Sequence, residues 1–346
     1  MCRPWNIGFS LAPGLLVFAS MSARIDRLCV LRFVAITLCV HGFGYILNDV
    51  CDADSDRTDP RRSTRPLTSG IVTRGPAVFT GVSAVAAATV VLGSGFSVRI
   101  SEWTLLAGVL CLAITYNLFS KRAVVPVVTN MVLGCAFAGM PLLASQISGG
   151  VLTAFSMACA AYQLLFMMFV NAAYGSVRDL DHESRLNIVT TARYMRSESR
   201  DGQLLLSQPL LVYIVVLQLT LAMTALYIRR VAVTSLKQPD GGRSTSWGVV
   251  CVICLIALSS WSLWKAFRHY RSDGRVASAY ATLHMLSAFL SPTAALLGVL
   301  PASRLIGVAV GAVGPLCFHS WFAKAIVLVG SSVVGSPRAI ARRGAS

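Results

Sequence analysis

Ten apolar stretches, each close to twenty residues long, run through this chain, at 5–21, 29–48, 76–95, 103–119, 125–146, 150–174, 204–228, 247–268, 278–299 and 305–333. A helix of about 20 apolar residues is long enough to cross the hydrocarbon of a bilayer. Lipid offers no partner to a backbone amide, so each crossing segment must satisfy its own hydrogen bonds, and the expected fold is an all-α, multi-span transmembrane helical bundle. Pro292 and Pro301 interrupt the last two runs, so the expected count is nine or ten helices. Composition agrees: 55% of the residues are hydrophobic and only 13% are charged, against about 25% charged in soluble domains. The first run lacks a basic start and a small-residue cleavage site, and is read as a span rather than a signal peptide.

The formal net charge of +16 raises nucleic acid as a partner, but the placement of the charge argues against it. Arg57, Arg61, Arg62, Arg65 and Arg74 follow the second run, Lys121 and Arg122 the fourth, and Arg178, Arg185, Arg193, Arg196 and Arg200 the sixth. The alternate connections carry only Arg24 and Arg27, then Arg99, then none near 147–150. Lysine and arginine concentrate on the cytoplasmic side of membrane proteins. The N-terminus and the three basic loops are therefore expected in the cytoplasm, with the chain in a membrane, a bacterial plasma membrane by its Arg- and Ala-rich composition. The histidines show no ligand spacing and are read as structural, as is the C-x-x-C of Cys251 and Cys254 within an apolar run. The whole of 1–335 reads as a single transmembrane domain, and the small, basic tail 336–346 as disordered.

Two polar loops carry the chemistry. The first begins Asn48-Asp49-Val50-Cys51-Asp52-Ala53-Asp54-Ser55-Asp56. If the second helix continues through it, Asn48, Asp52 and Asp56 stack on one face at four-residue spacing and Asp49 joins its edge. Carboxylates on one stripe repel unless a cation sits among them, and a hard divalent ion such as Mg²⁺ takes such oxygens together with water and phosphate. An EF-hand is excluded, because Arg57 and Ser63 stand where that loop needs Gly and Glu. The second loop reads Arg178-Asp179-Leu180-Asp181-His182-Glu183-Ser184-Arg185-Leu186-Asn187, in which Asp179, Glu183 and Asn187 repeat the spacing. Alone it would pass as a salt-bridged helix end; beside the first it reads as the other half of a metal clamp for diphosphate. Tyr116-Asn117-Leu118-Phe119-Ser120-Lys121-Arg122 closes the fourth run, where the basic pair serves either topology or anion binding. Arg61-Arg62-Ser63-Thr64-Arg65-Pro66-Leu67-Thr68-Ser69-Gly70 adds arginines, whose planar fork suits phosphate.

In this order, N-D-x-x-D-x-x-x-D, R-P-L-x-x-G, Y-x-x-x-x-K-R and the acidic pair, together with Arg3-Pro4 near the start, resemble the UbiA prenyltransferase superfamily over residues 1–200. The resemblance implies helices around a central cavity and Mg²⁺ held by Asn48, Asp49, Asp52 and Asp56 on one side and Asp179 and Glu183 on the other. It implies Lys121 and Arg65 near the diphosphate, with Tyr116, Arg122 and Arg178 as further substrate-binding candidates. Its partners would be a polyprenyl diphosphate, a lipophilic or aromatic acceptor and membrane lipid. The family's second motif usually reads D-x-x-x-D followed by Gly; here Glu183 stands for the second Asp and Asn187 for the Gly. The implied reaction is Mg²⁺-dependent transfer of a prenyl group to the acceptor with release of diphosphate. A membrane terpene cyclase of the same superfamily remains open at this point, as do a phosphoribosyl acceptor and a cation-coupled transporter.

Overall fold

The structure, a computed structural model, describes residues 7–21, 26–59, 62–95, 97–200, 203–235, 247–269, 274–311 and 313. Arg3, Pro4, Arg61, most of the run expected at 305–333, and the tail 336–346 lie outside the described residues. Each apolar run with described residues contains a helix: α1 (Gly8–Ala19), α2 (Arg27–Arg57), α3 (Arg74–Gly93), α4 (Ile100–Phe119), α5 (Pro126–Gly149), α6 (Ala154–Val170), α10 (Gln208–Ser235), α11 (Trp247–His269), α12 (Gly274–Ala295) and α13 (Ala302–Gly311). Three short helices, α7 (Ser176–Arg178), α8 (Leu180–Arg185) and α9 (Thr191–Tyr194), and a hairpin of β1 (Glu198–Arg200) with β2 (Gln203–Leu205) follow α6. The hairpin is a small departure from the all-α expectation.

Among the described residues, seven helices are long and apolar enough to cross a membrane. Their outer faces carry the same message. On α10, Leu210, Ile214, Leu217, Leu221, Ala225 and Ile228 are buried, while Val212, Val215, Leu219, Met223 and Tyr227 are exposed. A helix of a soluble protein would place polar residues on the second face; here both faces are apolar, and the outer one suits lipid.

The helices pack in antiparallel neighbours, α2 with α3, α4 with α5, α5 with α6, and α11 with α12, while α1 lies against α5, α6 and α2. Small residues permit the close crossings. A Cβ at Gly14 would stand 2.1 Å from Phe33 Cζ, so the ring of α2 can seat against α1 only because that position is glycine. A Cβ at Gly139 would likewise stand 2.3 Å from Val109 Cγ2 between α5 and α4.

The end of the bundle away from the two acidic motifs shows how its few arginines are used. Arg229 donates to the carbonyls of Ala295 (2.7 Å) and Leu297 (2.9 Å) past the end of α12. Arg304 donates to those of Ala19 (3.0 Å) and Met21 (2.6 Å) past the end of α1. Arg32 reaches the carbonyls of Val91 and Leu92 at the end of α3 and pairs with Glu102 at 3.1 Å. The last carbonyls of a helix lack intrahelical partners and carry partial negative charge. These cations are therefore committed to helix caps.

Candidate active site

Helices α1, α2, α4, α5, α6 and α12 enclose a cavity of about 630 Å³. Phe9, Val109, Phe137, Met140, Phe166 and Met167 line its apolar part. Asn48, Asp52, Arg62, Arg65, Arg178, Asp179 and Glu183 line its polar end. Two regions expected from sequence to carry chemistry, more than 120 residues apart, thus face one space.

The first motif remains helical, since α2 runs through to Arg57. Asn48 Nδ2 donates to Asp52 Oδ2 at 3.2 Å, as four-residue spacing allows. Asp49 and Asp56 do not line the cavity and meet arginines of the following loop instead: Arg65 Nη1 lies 2.5 Å from Asp56 and 3.7 Å from Asp49. The loop is held by its own chemistry. Leu67, 4% exposed, packs with Ile46, Ala53 and Ala77. Ser69 N donates to Arg65 O (2.8 Å) and Val72 N to Pro66 O (3.0 Å). Gly70 has φ +79°, a conformation open to glycine at little cost. The R-P-L-x-x-G segment is therefore a rigid mount for Arg65.

The second motif is more broken than its spacing implies. A π turn (Asn171–Gly175) ends α6, and the backbone kinks at Asp179 (φ −96°, ψ 2°) between α7 and α8. One helical turn survives, with Glu183 N donating to Asp179 O at 2.9 Å, so these two carboxyl groups stay together. Asn187 leaves that face. Its φ is +56°, and its side chain accepts from Arg193 Nη2 at 2.8 Å. Left-handed backbone favours Gly first and Asn next, which accounts for Asn at a position where the resembling motif has Gly.

Arg62 joins the two motifs. Its guanidinium lies 2.6 Å from Asp56, 3.3 Å from Asp59 and 2.8 Å from Asp179. Burial pushes the Asp179 carboxyl up, but hydrogen bonds and charge from Arg178 and Arg62 outweigh it and hold Asp179 at about 2. A second tie is His182, whose Nε2 lies 3.3 Å from Ser55 O on α2. Sequence reasoning passed over Arg62 in favour of Arg65 and read His182 as structural; neither contact has a local spacing that would reveal it.

Of the remaining candidates, Tyr116 lines the cavity, whereas Arg122 is exposed and does not. The side chain of Lys121 lies outside the described residues. His41, read from sequence as structural, lines the cavity wall.

Asn48 and Asp52 on one wall and Asp179 and Glu183 on the other offer only oxygen donors. Among the described residues no three acidic, histidine or cysteine side chains form a complete metal cage. That combination fits a hard divalent cation that keeps water and phosphate oxygens in its shell.

A family model described as the UbiA prenyltransferase family matches residues 9–286. The chain belongs to the UbiA prenyltransferase family. Solved structures share the fold. The apo structure of a UbiA homolog from Aeropyrum pernix K1 has a TM-score of 0.58 at 17% identity, over 85% of this chain and 98% of that one. Two structures of a UbiA homolog from Archaeoglobus fulgidus also match. The one bound to DMAPP and Mg²⁺ has a TM-score of 0.55 at 13% identity, over 83% of this chain and 97% of that one. The one bound to GPP and Mg²⁺ has a TM-score of 0.57 at 12% identity, over 85% and 98%. No curated protein sequence matches the chain. With seven helices among the described residues long and apolar enough to cross a membrane, this UbiA-family chain is an integral membrane protein.

Proposed function

We propose that this UbiA-family chain is a prenyltransferase that moves the prenyl group of a polyprenyl diphosphate onto a lipophilic, aromatic acceptor within the membrane, with release of diphosphate. Residues 1–335 act as one domain in this reading. The observation that carries it is the union of two oxygen-rich motifs and an arginine loop at one end of a cavity whose remaining walls mix apolar side chains with a few polar ones.

Mg²⁺, held by Asn48, Asp52, Asp179 and Glu183, would neutralise the departing diphosphate as a Lewis acid; the structures of the A. fulgidus homolog with Mg²⁺ and DMAPP or GPP support that choice. Arg65 and Arg178 face the same end and donate to the diphosphate oxygens as charge builds there. Asp49 and Asp56 hold Arg65 in place. The apolar walls exclude water from the allylic cation, and the rings of Phe9, Tyr45, Tyr116, Phe137 and Phe166 offer it their negative faces. Thr37, Asn117 and Asn130 on those walls favour a polar-headed acceptor over cyclisation of the prenyl chain on itself. In the membrane, the basic loops after α2, α4 and α6 face the cytoplasm; at the other end, Arg32, Arg229 and Arg304 are taken up in helix caps.

The test is product analysis. Membranes containing the chain are incubated with Mg²⁺ and farnesyl or geranylgeranyl diphosphate, with and without phenolic acceptors. A prenylated acceptor that disappears in Glu183→Gln is the expected result. A cyclic hydrocarbon or alcohol formed without acceptor would assign a terpene cyclase instead.

A further inference from the structure

Helix α11 carries a further pair of cations, outside the cavity. Lys265 Nζ lies 5.8 Å from the ring centroid of Trp261 and 5.2 Å from that of Trp264. The Arg268 guanidinium lies 4.7 Å from the same Trp264 ring. Both indoles face outward, 45% and 49% exposed. Because the two cations share one ring, they stand no more than about 10 Å apart, within a Debye length. Among the described residues no carboxylate pairs with either of them. Two like charges held side by side repel unless an anion completes the set.

The patch sits where a bilayer would end. α12 finishes at the end of the bundle away from the acidic motifs, where Arg229 caps it, so the junction of α11 with α12 lies at the motif end. Trp247, 66% exposed, opens α11 at the opposite end. From Trp247 to Trp264 the helix rises about 26 Å, close to the ~30 Å thickness of bilayer hydrocarbon. Tryptophans concentrate at the two membrane–water interfaces. Between these two the outward face is apolar. Val250, Cys254, Leu258, Trp261 and Lys265, none of them buried, follow one another at three- or four-residue intervals and form one stripe of the helix. That stripe is a track for an acyl chain, and it ends at a cationic head site.

We propose that Trp261, Trp264, Lys265 and Arg268 bind the headgroup of an anionic phospholipid in the motif-side leaflet, at a site separate from that of the prenyl diphosphate. The lipid phosphate accepts hydrogen bonds from Lys265 and Arg268, and one acyl chain lies along the stripe toward Val250. The choice of an anionic over a zwitterionic lipid follows from the rings. A choline or ethanolamine ammonium seeks an indole face, but Lys265 and Arg268 already stand over these indoles, so the charge left to match is negative. The sequence stays basic past the helix, with Arg271 and Arg275 against Asp273. Juxtamembrane basic clusters attract anionic lipid. The site also has a route to the cavity. Trp261 meets Tyr280 of α12 edge-on at 5.4 Å, and α12 contributes Thr282, Met285 and Leu286 to the cavity wall. A lipid held here braces the helix pair that closes that side of the cavity.

The test uses the full chain purified in detergent and titrated with dioleoylphosphatidylglycerol or dioleoylphosphatidylcholine, with bound lipid counted by native mass spectrometry. Wild type is compared with the double variant Lys265→Gln/Arg268→Gln. Wild type should bind phosphatidylglycerol more tightly than phosphatidylcholine. The double variant should lose roughly 30-fold in phosphatidylglycerol affinity with phosphatidylcholine affinity unchanged, at about fivefold for each basic residue near an anionic lipid surface. No preference in wild type, or a preference that the double variant retains, overturns the proposal. Excess inorganic phosphate should leave phosphatidylglycerol bound; displacement of the lipid would assign the site to free phosphate and overturn the proposal. Should the double variant fail to assemble, Arg268→Gln alone replaces it, on an exposed side chain: a loss of about fivefold supports the site, and unchanged affinity overturns it. The readout does not depend on turnover, so its failure leaves the prenyltransferase reading standing.

Discussion

Replacing Arg62 with Met removes the one guanidinium among the described residues seen to pair with both acidic motifs. Breaking a buried ion pair on one side costs about 3–5 kcal/mol, because the partner charge is left uncompensated. Here the loss is smaller. Arg65 remains 2.5 Å from Asp56, and Arg178 remains 2.7 Å from Asp179, so at least two of the three carboxylates keep a cation. The side chain of Arg62 is 11% exposed, so some water screening persists. About 2 kcal/mol is therefore expected, or roughly 4 °C in melting temperature at about 2 °C per kcal/mol for a large domain. The assay is thermal unfolding of the purified chain in detergent, with and without Mg²⁺ and inorganic diphosphate. Arg62→Met should melt lower without ligand, and Mg²⁺ with diphosphate should raise its melting point more than that of wild type. In the variant, an incoming metal has one guanidinium fewer to displace from Asp179, and stabilisation by a ligand grows with its affinity for the folded state. Equal melting temperatures without ligand, or equal ligand-induced shifts, would refute the view that Arg62 is the counter-cation of the two motifs.

Other expected outcomes follow from the same geometry. Leu67→Ala opens the small apolar cluster beneath the arginine loop; it should cost about 2–3 kcal/mol and raise KM for the prenyl diphosphate more than it lowers kcat, measured by steady-state kinetics. Asn187→Gly should be neutral within about 1 kcal/mol, while Asn187→Val should destabilise by about 1–3 kcal/mol, since a β-branched residue is strained at φ +56°; paired thermal melts decide this.

Much of the architecture can be read from residue pattern. Apolar run length predicts the helices because lipid leaves the backbone no alternative. Four-residue spacing predicts how Asn48 and Asp52 meet, because α2 stays helical through the motif. The same reasoning runs out at Asn187, because α8 ends at Arg185 and Asn187 itself turns left-handed, with φ +56°. Spacing assumes a continuous helix, and the energy that breaks this one lies in tertiary contacts. The bond from His182 to Ser55 and the salt bridge from Arg62 to Asp179 join residues 127 and 117 positions apart, so no local pattern announces them. Asp49 and Asp56 were expected as metal ligands beside Asn48 and Asp52. The structure sets them against Arg65 and Arg62, because the folded-back loop brings charges that a linear reading places past the helix. His41 gave no signal because a single histidine in an apolar run looks the same whether it faces a neighbouring helix or a cavity.

The central claim is that the two motifs form one metal-dependent site for a prenyl diphosphate. Its most direct test is the rate of diphosphate release from geranylgeranyl diphosphate by the full chain in nanodiscs, in the presence of phenolic acceptors, for wild type, Asp52→Asn and Asp179→Asn, each with Mg²⁺ and with EDTA. The account predicts release by wild type with Mg²⁺ alone, and a loss of at least about 10²-fold in both variants and in EDTA, on the scale of removing a key electrostatic group. Full release by either variant, or by wild type in EDTA, would contradict it.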